Sequence, residues 1–218
     1  SPEITRLTGI TQAALDEKGV PFAAVAQRIA ERFAEHERLG RVFVAHNMDF
    51  DRRFLDAEMK RCGLPSLTMT STIDTCVEAQ YLWPERSAKL VDAVKGFQIQ
   101  CVGAHRATAD AWTSLELAKA MFSSGVSAFG AEHDERRAWV EEQRRAWGRH
   151  LYADRTTGTM RIGFGKFRGV ELLRVRADYL EWMLGHNDMK PSARHAIEMA
   201  CAHAATSHLT LDDVDADP

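Results

Sequence analysis

Apolar residues recur at helical spacing after Pro21. Phe22, Val25, Ala26, Ile29 and Phe33 share one face, and Gly40 is a natural stop, so the spacing predicts a helix between them. Pro21 suits the helix start, where its missing N–H costs nothing. Residues 1–19 read as a loop with a short helical turn. The run RVFVA (41–45) has strand length and unbroken apolarity, the pattern of a buried strand. A helix from Asp51 to Lys60 follows, with Phe50, Phe54, Leu55 and Met59 facing inward, and Gly63-Leu64-Pro65 breaks it. Thr-rich, β-branched residues 67–73 predict a second strand. Asp74 is placed to cap a helix running to Trp83, and further helices are expected over 89–97 and 107–122.

The second half differs in texture. SSGVSAFG (123–130) is a linker by composition. Residues 131–149 carry five acids and five arginines, with Trp139 and Trp147 two turns apart, which predicts a solvated helix laced with i,i+4 ion pairs. Residues 159–175 read as a small hairpin with Gly turns. Asp178 is expected to cap a short helix bearing Tyr179, Leu180, Trp182 and Met183. Pro191 opens a last helix with Ile197, Ala200, Cys201 and Ala204 on one face, and the acidic tail LDDVDADP is expected to be disordered. The order is that of an α/β domain (1–122), a linker and charged helix (123–150), a small α+β domain (151–208) and a tail (209–218).

Bulk properties narrow the class. The chain has 218 residues, 45% hydrophobic and 27% charged, ordinary for a globular protein of one full domain and a smaller one. A net charge of −3 gives no global basic field, so contact with a polyanion would depend on local patches or metal ions. Cys62, Cys76, Cys101 and Cys201 are scattered with no C-x-x-C pair, which argues against a zinc site or disulfide scaffold and fits a reducing compartment. No apolar run reaches the eighteen or so residues of a membrane span and no signal peptide is visible, so a cytoplasmic protein without a membrane partner is expected.

The candidate chemistry lies in two segments, HNMDFDRRFL (46–55) and HRATAD (105–110). Each places an Asp near the start of a helix, where hard divalent cations find oxygen ligands, and a nearby His can take a proton from water. Asp51 follows the end of the first strand by about one turn, and helix starts beyond strand ends are where α/β domains build sites. Asp49 is the expected cap of that helix. At 100° per residue, His105 and Asp110 would stand roughly 140° apart on one regular helix. His105 is therefore expected in the loop entering the helix, with Asp110 in its first or second turn and Gly103 supplying backbone freedom.

A strand, then HN-x-x-FD-x-x-FL, then H-x-x-x-x-D some fifty residues later resembles the second and third motifs of the DEDDh (DnaQ-like) 3′–5′ exonucleases, whose fold is ribonuclease H-like. The resemblance implies hydrolysis of 3′-terminal phosphodiesters of DNA or RNA with two Mg²⁺ or Mn²⁺ ions held by carboxylates. It makes Asp51 and Asp110 metal ligands and His105 the general base. LTGIT (7–11) resembles the family's loop flanking the 3′-terminal nucleotide, which puts Gly9 and Ile10 with His46, Asn47 and Phe50 as substrate-binding candidates. His46 and Asn47 read equally as satisfied polar groups at a strand end. Single-stranded 3′ ends are the expected partner, with a DNA polymerase or repair protein as context. The family's first motif, an Asp-x-Glu on its first strand, is absent from these 218 residues. Strands completing the sheet are therefore expected upstream of Ser1, and the chain alone is expected to be nearly inactive and poorly stable. The alternative is a non-catalytic nucleic-acid-binding or interaction module derived from an exonuclease.

GFGKFRGVELLRVRADYLEWML (163–184) resembles a small domain of unknown function found alone or fused to exonucleases. From Met160 to Arg176 there are five basic residues and one acid. Aromatics interleaved with charge suit single-stranded nucleic acid, so Lys166 and Arg168 join the substrate-binding candidates, while Phe167 is expected in the core.

Overall fold

The computed structural model describes residues 2–100, 106–126, 128 and 130–206, and the chain divides into two compact units. The first comprises residues 1–82 and 88–136, the second 83–87 and 137–218. His105, Gly103, Cys101 and the acidic tail lie outside the described residues.

The first unit begins with two short helices, α1 (Pro2–Thr8) and α2 (Gln12–Lys18), where a loop with a short helical turn is expected from the sequence. The Thr11 hydroxyl accepts from Ala14 N–H at 3.1 Å and Gly19 closes α2, so Asp16 and Glu17 are helical. Helix α3 (Ala23–Arg38) carries the anticipated apolar face. Ala26 is buried with Met59, Leu67 and Met69, and Phe22, Ile29 and Phe33 pack against them.

Strand β1 (Phe43–Ala45) pairs in parallel with β2 (Thr72–Asp74), matching Phe43 to Thr72 and Ala45 to Asp74. Both strands are shorter than the sequence pattern suggested. Val42 is 38% exposed and Phe43–Ala45 are only half-buried, so RVFVA is not a fully buried strand. Residues 67–70 contribute Leu67 and Met69 to the core ahead of the strand, the Ser71 carbonyl accepts from Phe43 N–H (2.9 Å), and Thr70 donates from N–H and hydroxyl to the Glu37 carboxylate (2.6 and 2.7 Å). A side chain thus takes the bonds a neighbouring strand would have taken. Helix α4 (Met48–Arg61) and helix α7 (Ala107–Ser123) both pack on β1. Between them run α5 (Thr75–Leu82), α6 (Leu90–Ala93) and a 3₁₀ turn (Val94–Phe97).

Helix α8 (Ala131–Trp147) is not simply solvated. His133 and Val140 are buried, and Arg136 pairs with Glu132 at i,i+4 (2.7 Å) while also reaching Glu78.

In the second unit β3 (Leu151–Ala153) pairs antiparallel with β4 (Met160–Ile162). The hairpin therefore spans 151–162, upstream of the predicted 159–175. Its turn is set by Asp154, whose side chain accepts from Thr156 and Thr157 N–H (2.9 and 3.0 Å), with Gly158 at φ +70°. Arg161 is held by Asp154, Glu171 and the Gly169 carbonyl. Helices α9 (Ala177–Leu184) and α10 (Pro191–Thr206) pack on each other. Their core joins Leu151, Ile162, Phe167, Leu180, Met183 and Ile197. Arg176, not Asp178, occupies the cap position of α9, and Asp178 sits in its first turn.

Candidate active site

Asp74, at the end of β2, organises the region around the strand ends. It is 5% exposed, and its carboxylate accepts from Asn47, Met48 and Cys76 N–H at 2.9 Å and from Val77 N–H at 3.4 Å. One acid thus satisfies the opening amides of both α4 and α5, which leave their first N–H groups without intrahelical partners. Its role as the cap of α5 matches the sequence reading. Its role at α4 displaces Asp49, because Asn47 occupies that cap position, left-handed at φ 72° and without a side-chain cap bond. Nothing local in HNMDFD signals a cap supplied from twenty-six residues away.

Asp51 lies in the first turn of α4 and is exposed. Its carboxyl is held above the usual carboxylate range, first by partial loss of water and further by the negative charge of Asp74; its own backbone N–H opposes this. Such a group gains from a cation. Phe50 and Phe54 do not anchor this helix inward: they are 60% and 55% exposed, and Met48, Leu55 and Met59 face the interior instead. The helix starts three residues earlier than predicted, and at 100° per residue Met48, Leu55 and Met59 fall within about 40° of one another while Phe50 and Phe54 stand at least about 100° away, off the core face.

His46 is tied to the protein at both ring nitrogens. Nε2–H donates to the Ala88 carbonyl (2.7 Å), which leaves Nδ1 to accept from the Thr75 hydroxyl (2.9 Å) when the ring is neutral. Burial pushes its imidazole below the ordinary histidine range, against the Ala88 bond and the Asp74 charge. Asn47 contributes its backbone N–H to Asp74.

Helix α7 starts at Ala107, after an extended Arg106, and puts Asp110 half-buried in its first turn. His105 lies outside the described residues. Asp51 and Asp110 thus open two helices that pack on the same strand, β1. Among the described residues neither belongs to a group of three converging His, Cys, Asp or Glu ligand atoms. Gly9 has φ +70° and ends α1, and Ile10 lines an open surface pocket with Ile4 and Leu15. In the second unit Lys166 is exposed beside the Phe167 ring (5.5 Å), Arg168 turns toward the Pro84 carbonyl (3.3 Å), and Phe167 is buried as expected.

A buried ionic group went unread in the sequence. Glu78 is fully buried and accepts from His133 Nδ1 (2.5 Å), Arg136 (2.7 Å) and Ala128 N–H (3.2 Å). His133 Nε2 accepts from the Asp74 backbone N–H at 3.2 Å, so the group buttresses β2 from behind. Buried charges persist only when paired in this way. The i,i+3 spacing of His133 and Arg136 was visible, but their partner fifty-five residues upstream was not.

A parallel strand pair with acid-bearing helices starting beyond it is the frame of a ribonuclease H-like nuclease domain. The chain belongs to the exonuclease family, whose profile matches residues 1–118, and the expectation of a DnaQ-like exonuclease is borne out. A PolC-type DNA polymerase III of Caldanaerobacter subterraneus is 33% identical over 116 residues, covering 52% of this chain and 8% of that protein. The 3′-5′ exonuclease DinG of Staphylococcus haemolyticus is 32% identical over 117 residues, covering 53% of this chain and 12% of its own. DinG of Staphylococcus aureus gives the same figures, 32% over 117 residues. The chain spans about a tenth of the length of these relatives. No helix among the described residues is long and apolar enough to cross a membrane.

Proposed function

We propose that residues 1–122 carry the second and third catalytic motifs of a DEDDh-type 3′–5′ exonuclease acting on single-stranded DNA or RNA ends. The observation that carries this reading is Asp51, an acid one turn beyond β1 whose carboxyl is disfavoured as an anion and stands near a second, buried carboxylate. Hard oxygen donors carrying excess negative charge suit Mg²⁺ or Mn²⁺, so the donor set fits these ions. Asp51 and Asp110 would hold the metal. Such ions, when bound, supply charge neutralisation for the phosphate and a more acidic water. His105 would accept the proton that this water gives up as its oxygen bonds to phosphorus and the bond to the leaving 3′-oxygen breaks. Asp74 fixes the start of α4, the helix that carries Asp51. Ile10, with Ile4 and Leu15, offers an apolar face for the terminal base. The name of the DinG relatives supports the exonuclease reading, and that of the PolC-type polymerase supports a polymerase context. Residues 151–208 would serve as an accessory domain.

Two carboxylates are fewer than a two-ion site needs, so these 218 residues alone are expected to hydrolyse slowly. The test is a gel assay on the full gene product that contains them, with 5′-labelled single-stranded DNA and RNA. Shortening from the 3′ end should require Mg²⁺ or Mn²⁺ and vanish in Asp110→Ala. His105→Ala should lower the rate by about 10²–10⁴-fold while metal binding survives. Binding without any shortening would favour the non-catalytic module.

A further inference from the structure

We propose a second metal site, in the C-terminal unit, where His150, His186 and Asp188 bind a divalent transition-metal ion of the zinc class. One ligand atom from each residue lies within 4.8 Å of the others. His150 directly precedes β3, and its carbonyl accepts from Gly163 N–H (2.8 Å). His186 and Asp188 sit in the loop joining α9 to α10.

The side chain of His150 points to a ligand independently of the cluster. It is 1% exposed, yet among the described residues neither ring nitrogen has a hydrogen-bond partner. A buried imidazole left unsatisfied costs free energy that a partner would recover. Its Nε2 faces Asp188 Oδ1 at 3.6 Å, too long for a good hydrogen bond. That separation is close to the ligand–ligand edge of about 3.3 Å expected around tetrahedral zinc with bonds of 2.0–2.1 Å.

The surroundings fix the donors as metal sites require. Arg149 holds the other carboxylate oxygen of Asp188 at 3.1 Å, which turns Oδ1 toward His150. Arg194 on α10 donates to the Leu184 and His186 carbonyls (2.8 and 3.0 Å) and so clamps the loop. Phe164 and Trp182 pack on the His186 ring, with centroids 5.4 and 4.7 Å away, and screen one side of the site. Two imidazoles and one carboxylate suit zinc, iron(II), cobalt or nickel rather than the hard ions expected at Asp51. Three protein ligands leave a fourth position for water, and the ion would pin the α9–α10 loop to the start of β3.

The test uses the 218-residue chain, Co²⁺ as a spectroscopic probe and Zn²⁺ in calorimetric titration. Expected is one saturable ion, with cobalt d–d bands of an N/O-ligated site and an upward shift of the melting temperature. Asp188→Ala, whose side chain is 60% exposed, and His186→Ala should each weaken Zn²⁺ at least tenfold, with near-UV circular dichroism showing that both remain folded. The Asp51→Asn/Asp110→Asn double variant should keep the site. No saturable ion in the parent chain, or less than threefold weakening in either single variant, overturns the proposal.

Discussion

Replacing Asp74 by Ala should be among the most damaging single changes in the first unit. The carboxylate receives four backbone N–H groups, three at 2.9 Å and one at 3.4 Å. A bond to a charged acceptor contributes roughly 1.5–3 kcal/mol, but summing four would overcount because they share one group. The deciding question is which donors stay dry. Asn47 is exposed and Cys76 half-buried, so water can replace the acid there, whereas Met48 and Val77 are 5% and 4% exposed. Two stranded buried donors cost about 1–3 kcal/mol each, giving a loss of roughly 4 kcal/mol. Since total stability is about 5–15 kcal/mol, the first unit would become marginal. Urea unfolding followed by far-UV circular dichroism measures the loss, and hydrogen exchange at Met48 and Val77 locates it. Asp74→Asn should lose less, because only the Oδ2 acceptor used by Met48 becomes a donor. A loss under about 1 kcal/mol in Asp74→Ala, with unchanged exchange at both amides, would refute the reasoning.

Asp51 should make the metal-free protein less stable at neutral pH. Its folded pKa lies above the usual carboxylate value, so its contribution is full below that value and is lost as pH rises through the raised one. Asp51→Asn should therefore stabilise the metal-free chain at pH 7 and have no effect at about pH 3, read from paired urea melts; Mg²⁺ or Mn²⁺ affinity in the parent should fall as pH drops through the same window. His46 has the opposite sense: its folded pKa is lowered, so stability is full above the ordinary histidine value of about 6.5 and falls as pH drops below it. His46→Gln should flatten that part of the stability–pH curve, and an unchanged slope would remove His46 as its source.

The sequence made helices legible wherever one face repeats. The α3 face, the α4 interior at Leu55 and Met59, the helix from Ala107 and the last helix from Pro191 follow directly from spacing. Strand lengths were not legible, because the ladder ends where partners end: Leu67 and Met69 alternate inward like strand residues, yet Thr70 bonds Glu37. The hairpin was misplaced because GFGKFRG holds two turn glycines, while the working turn is built on Asp154. Asp51 and Asp110 were singled out because acids at helix starts form short local patterns, and both do stand in the first turns of helices. Asp74 as a double cap and the Glu78–His133–Arg136 group were hidden because their contacts join residues more than twenty-five positions apart. His150 was passed over for the same reason, its companions lying thirty-six and thirty-eight residues downstream.

The central claim is that Asp51 and Asp110 border one cleft that binds a hard divalent ion. Paramagnetic line broadening by Mn²⁺, titrated into the ¹⁵N-labelled 218-residue chain, tests it most directly. The account predicts joint broadening of amides in the first turns of α4 and α7 and at the end of β2, lost in both Asp51→Asn and Asp110→Asn. Broadening confined to one of the two helix starts, or surviving both substitutions, would contradict it.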